Sequence, residues 1–127
     1  MNPANVYRRV SIQTSDPREL VVMLYDGFLK FAHRAMASLH RGDRLDATRA
    51  VGRALDILNE LMDALDHGPA PQVSGPLESL YVYIGDRLLH VSSRQNVEAL
   101  EEVISLMSDL RQGWSEALIE VRRQEAA

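Results

Sequence analysis

The sequence predicts an all-α fold, an antiparallel up-down four-helix bundle preceded by a flexible N-terminal arm, and three observations predict it. Apolar residues recur at helical spacing along most of the chain, and nothing alternates with the period of two that strands require. Short polar or Pro/Gly-rich breaks, "HRGDR" at 40–44, "HGPAPQVSGP" at 67–76 and "SSRQN" at 92–96, divide that pattern into four segments. Each segment is amphipathic, and connections this short make antiparallel neighbours of consecutive helices.

The first helix is expected over about 17–40. Asp16 is placed to cap it, Pro17 stands where a missing N–H costs nothing, and Glu19 is positioned to close a capping box. A second, over about 44–66, carries Val51, Ala54, Leu55, Leu58, Leu61, Met62 and Leu65 on one stripe, with Asp43 as its cap and Gly68 as its stop. The third, about 76–92, begins at Pro76 after Ser74 and sets Leu77, Leu80, Tyr81, Ile84, Leu88 and Val91 on one face. Asn96 caps a fourth, about 97–123, with Leu100, Val103, Ile104, Met107, Leu110, Trp114, Leu118 and Val121. Residues 1–15 form the arm, and 16–127 the bundle.

Composition narrows the function classes. The chain has 127 residues, enough for one domain with a real core, and no cysteine, which excludes disulfides and thiolate metal ligands. No apolar run approaches the roughly 18–20 residues of a membrane span, and the N-terminus lacks the apolar stretch of a signal peptide, so a soluble cytoplasmic protein is expected. A net charge of −4 argues against general affinity for nucleic acid or an anionic membrane. Basic residues gather from Lys30 through His33, Arg34, His40, Arg41, Arg44 and Arg49 to Arg53, which reads as a solvated face rather than a phosphate site.

No constellation suited to catalysis emerges. Bundles that hold two metals use Glu-x-x-His pairs, and none occurs. His33 and His40 share a face, but no carboxylate stands three or four residues from either on that helix. Asp86 and His90 form an i, i+4 pair better read as a surface contact. Phosphate loops and nucleophile elbows are missing, and no cofactor is implied. Phosphotransfer on His40 remains a distant alternative, since that residue sits at a helix end rather than mid-helix. Arg41-Gly42-Asp43 is a helix-helix turn followed by a cap.

The informative feature is surplus apolar surface. On the first helix Leu20, Leu24, Phe28, Phe31, Ala35 and Leu39 make a core stripe, and beside it runs a second row of Val22, Tyr25, Leu29 and Met36. Together they span roughly 200°, against the ~100° a helix buried on one side needs. Ile57 flanks the stripe of the second helix, and Val82, Tyr83 and Leu89 fall opposite that of the third. In the arm, "VYRRVSI" spaces Val6 or Tyr7, Val10 and Ile12 at alternating or helical intervals, as a segment able to lie over a groove, and Tyr7 is taken as its first contact. These eleven residues are the candidate partner-binding set, and the second row of the first helix reads equally as core, because a helix inside a bundle contacts two neighbours. The rival explanation is a purely structural bundle, for which the same row is a seam for self-association.

The motifs then resemble a family. Tyr7, Val10 and Thr14 of the arm, "SDPRELVVMLYDGFLKF" at 15–31, Leu65-Asp66, "LYVYI" at 80–84 and "EALEEVISLMSDLRQGWSEAL" at 98–118 resemble the flagellin-specific export chaperones called FliS, in the right order over nearly the whole chain. Leu20, Val21, Leu24, Tyr25, Asp26 and Gly27 match the family's helix motif. The resemblance implies a cytoplasmic, non-enzymatic bundle that binds the disordered C-terminal segment of flagellin and prevents its polymerisation before the flagellar type III apparatus exports it. It further implies that the arm occupies part of the groove when flagellin is absent. The export gate or a co-chaperone is a candidate second partner, and a monomer or weak homodimer is the expected state of the free protein. Departures are Asp16 before the proline, Gly52 in the second helix and the Pro-rich linker. Gly27, mid-helix in the family motif, is expected to let another helix backbone approach closely, and Asp26 to point away from the core.

Overall fold

The computed structural model describes residues 16–65 and 71–127, and within them four α-helices: α1 (Pro17–His40), α2 (Arg44–Leu65), α3 (Pro71–Arg94) and α4 (Val97–Ala126). α1 packs on α2 and α4, and α3 packs on the same two, so α1 and α3 stand diagonally across a square bundle. The core runs along its axis through Phe28, Ala32 and Ala35 of α1, Val51, Ala54 and Leu58 of α2, Ile84 and Leu88 of α3, and Leu100 and Val103 of α4. The arm and residues 66–70 lie outside the described residues.

Local signals set the helix ends. Asp16 accepts from the Arg18 backbone N–H at 2.9 Å, and Asn96 from that of Ala99 at 3.0 Å. Asp43 caps α2 by accepting from the Asp46 N–H at 3.0 Å. Glu19, expected to close a capping box, is drawn into an ion pair with Arg122 at 3.3 Å. α1 stops in a Schellman motif: the Asp43 N–H reaches the Ser38 carbonyl at 2.8 Å and the Gly42 N–H that of Leu39 at 3.1 Å. Gly42 takes φ +75°, which an L side chain resists.

α3 differs from expectation, starting at Pro71 rather than Pro76. Proline is well suited to the first helical position, and Pro76, one turn later, deprives only the Gln72 carbonyl of its helical donor. Gln72 is exposed, so water can satisfy that carbonyl. α4 continues three residues beyond the expected end. Its last turns are tied to the start of α1: Arg122 pairs with Asp16 at 3.0 Å, and Arg18 bridges Asp16 at 3.0 Å and Glu125 at 2.9 Å. The two guanidiniums hold the Asp16 carboxyl far below the usual carboxylate range.

The opposite end is clamped by Asp46, which accepts from the buried Ser38 hydroxyl and pairs with Arg34 at 2.8 Å. Arg34 first, and Ser38 second, pull the Asp46 carboxyl from 3.8 down to about 2. A carboxyl lowered by folding contributes stability above its unfolded pKa and loses that contribution as pH falls through its folded one. Acid titration of the wild type should therefore show stability falling between about pH 4 and 2, and Asp46→Asn should flatten that part of the profile in urea melts.

Two helix-interior glycines behave differently. A Cβ on Gly85 would stand 3.5 Å from Leu58 Cδ2, where α3 approaches α2. A Cβ on Gly113, exposed on α4, would meet no atom from another part of the described residues within 4 Å. Gly113→Ala should accordingly raise stability by about 0.5–1 kcal/mol, read as a higher urea midpoint at unchanged m-value.

Candidate functional site

The core is complete over only part of the bundle's length. Among the described residues the buried apolar side chains of α1 begin at Leu24 and those of α3 at Tyr81, while those of α2 end at Leu61 and those of α4 at Met107. Beyond that layer, toward the end where α1 and α3 start, Leu20, Val21, Leu65, Leu77, Leu80, Leu110 and Trp114 are only partly covered. At that level α2 contributes the small Ala64, and α3 contributes no lining residue before Tyr81.

What results is an apolar cavity of about 450 Å³, within the size range of ligand clefts. α1 supplies Leu20, Val21 and Leu24, α2 supplies Leu61, Ala64 and Leu65, and Pro17 and Arg18 lie at its margin. Tyr81 and Trp114 complete the lining from α3 and α4.

Behind this lining is a small polar network. Trp114 Nε1 donates to Tyr25 Oη at 3.1 Å, and the Tyr25 and Tyr81 hydroxyls are hydrogen-bonded to each other. The network ties α1 to α3 across the bundle's diagonal and to α4 at its side. Burial, reinforced by Tyr81, pushes the Tyr25 hydroxyl well above the ordinary phenol value. Burial also raises Tyr81, partly offset by the bond from Tyr25. Both therefore stay protonated and serve as donors rather than nucleophiles.

The candidate residues divide. Tyr7, Val10 and Ile12 lie outside the described residues. Tyr25 and Ile57, expected on a partner-facing row, are both 0% exposed and belong to the core. Because α1 has two neighbours and a diagonal partner, its second row turns inward at Tyr25, whose long side chain reaches α3. Ile57 is enclosed because α2 packs on both α1 and α3. Leu29 and Met36 pack partly against the core, and Val22 is half-buried. Val82, Tyr83 and Leu89 do stand on the outer side of α3, at 52%, 42% and 57% exposure, and Tyr83 donates to Glu102 at 2.7 Å. Since α1 and α3 are diagonal, these two sets form separate patches rather than one groove. Asp26 is exposed and pairs with Arg111 at 2.6 Å, and Gly27 is buried.

The cavity-lining residues Leu61, Leu65, Tyr81 and Trp114 were all visible in the sequence as core-stripe positions. No signal in the sequence singles them out from the rest of those stripes. Elsewhere, no three His, Asp or Glu side chains among the described residues are grouped to hold a metal ion, and no described helix is long and apolar enough to cross a membrane.

A family model described as "Flagellar protein FliS" matches residues 1–121. The flagellar secretion chaperone FliS of Salmonella typhimurium is 30% identical over 125 residues, covering 94% of this chain and 93% of the relative. That of Bacillus subtilis is 29% identical over 122 residues, with 96% and 90% covered. The flagellar secretion chaperone FliSB of Pseudomonas aeruginosa is 30% identical over 118 residues, with 90% and 94% covered.

Proposed function

The chain belongs to the FliS family of flagellar export chaperones, and from that premise we propose that it binds the C-terminal segment of flagellin in the cytoplasm. By holding that segment it keeps flagellin from polymerising and supports its delivery to the flagellar type III export apparatus. The observation that carries this reading is the apolar cavity at the open end of an otherwise closed core. A segment that orders on binding must bury apolar area to offset the entropy it loses. An apolar cleft between helices suits the anchor side chains of an amphipathic helix. The half-buried flank of Val22, Leu29 and Met36 and the exposed patch of Val82, Tyr83 and Leu89 are further contact surfaces for a segment long enough to wrap the bundle. No catalytic group is needed, and release follows from competition at the export gate.

Trp114 is the only tryptophan in the chain and lines the cavity, so it reports occupancy directly. Titration with a tryptophan-free peptide from the C-terminus of the flagellin encoded alongside this protein should shift Trp114 emission with one-to-one stoichiometry and add helical circular dichroism. Absence of binding, together with a stable dimer in the ultracentrifuge, would overturn the reading in favour of a self-associating bundle. In the same assay deletion of residues 1–12 should change peptide affinity while leaving thermal unfolding cooperative, as expected of an arm that competes for the cleft.

A further inference from the structure

Three hydrogen-bond donors meet beside the cavity, and two bonds join them. Trp114 Nε1 can only donate, and Tyr25 Oη accepts from it. The Tyr25 and Tyr81 hydroxyls share one further bond, in which either can be the donor. Each carries a single proton, so one hydroxyl proton is left over.

Two arrangements are possible. If Tyr81 donates to Tyr25, the spare proton belongs to Tyr25, which is 0% exposed and does not line the cavity. A buried donor left without an acceptor costs on the order of 1–3 kcal/mol. If Tyr25 donates to Tyr81, the spare proton belongs to Tyr81, which is 1% exposed but lines the cavity, so that an acceptor entering there can take it up. Both arrangements leave a buried proton unpaired in the free chain, and only the second places it on a residue that an acceptor entering the cavity meets.

The chemistry of the walls limits the matching acceptor. Leu20, Val21, Leu24, Leu61 and Leu65 provide no counter-charge, and the cation at the margin, Arg18, is already committed to Asp16 and Glu125. A carboxylate brought here would lose its hydration without compensation. Backbone carbonyls within a client helix are occupied by that helix.

We propose that Tyr81 is a specificity-determining hydrogen-bond donor to the client, selecting an amphipathic helix that sets one uncharged side-chain oxygen, from Asn, Gln, Ser or Thr, among its apolar anchors. This rests on the reading of the cavity as the client's cleft.

A double-mutant cycle tests it in the full chain. Each Asn, Gln, Ser and Thr of the flagellin C-terminal peptide is replaced by Ala and titrated against wild type, Tyr81→Phe and Tyr25→Phe. One peptide position should weaken binding to wild type about tenfold and leave binding to Tyr81→Phe unchanged, while Tyr25→Phe, which retains the Tyr81 donor, still discriminates. Should Tyr81→Phe fail to fold, the Tyr81 hydroxyl proton of the wild type provides the second readout: by NMR it should become protected from exchange when the peptide binds and lose that protection with the coupled peptide variant. Binding with neither coupling nor protection overturns the assignment alone. A wild-type chain that does not bind the peptide overturns the client reading first and this assignment with it. Protection already present in the free chain and lost on deleting residues 1–15 identifies the arm as the occupant and overturns the assignment to the client.

Discussion

Replacing Ile57 by Ala is expected to cost about 2–5 kcal/mol of folding stability, the range for deleting a large aliphatic side chain from a packed interior. A domain of this size has on the order of 5–15 kcal/mol in total, so the variant should melt far below wild type, or remain partly unfolded at 37 °C. The expectation follows from position alone. Ile57 is 0% exposed, with Ala54, Leu58 and Leu61 of the same helix buried around it. Neighbours held in place on α1 and α3 cannot collapse fully into the space left behind, which adds a cavity term to the lost transfer energy. Leu89→Ala on the outer side of α3 makes the contrast, since at 57% exposure it should shift stability by no more than about 0.5 kcal/mol. Urea melts of both variants check the pair. Equal, small losses would return Ile57 to a partner-facing surface, where the flank of the apolar stripe first places it.

That flank shows what one sequence can and cannot yield. Helix ends rest on near neighbours, so Asp16, Asp43 and Asn96 are readable as caps before any fold is known. The start of α3 is not, because Pro71, Gly75 and Pro76 have the composition of a linker and the continued register beneath them becomes decisive only when Leu77 and Leu80 have a core to pack against. The width of the apolar face on α1 is equally legible, but its meaning is not. Periodicity measures how much of a helix is apolar, whereas the number of neighbours decides how much of that is covered. Tyr25 and Ile57 are covered, Leu29 and Met36 partly so, and Val82 and Leu89 not. The cleft lies at a further remove, because it is defined by four helices at one level. Leu20, Leu24, Leu61 and Trp114 have the spacing of ordinary core residues. That nothing on α3 before Tyr81 lines the space between them shows only once the four helices stand together.

The cleft leads to the largest expected effect on binding, that of Val21→Glu. Val21 is half-buried on the α1 wall of the cavity. In the free protein a glutamate at this half-buried position can extend its carboxylate into water. Stability should therefore change by no more than about 1 kcal/mol. Once an apolar segment enters, the same carboxylate must either lose its water or obstruct the segment. The nearest cation, Arg18, is already held by Asp16 and Glu125 and offers no ready partner. An unpaired charge buried in this way costs several kcal/mol, and each 1.4 kcal/mol is tenfold in affinity. Peptide binding followed by Trp114 emission should thus weaken by more than about a hundredfold while urea melts stay close to wild type. Ile119→Glu, which adds the same charge on the exposed side of α4 away from the cavity lining, should leave affinity within about twofold. Unaltered binding by a folded Val21→Glu variant would move the client off this cleft and onto the outer patches of α1 and α3.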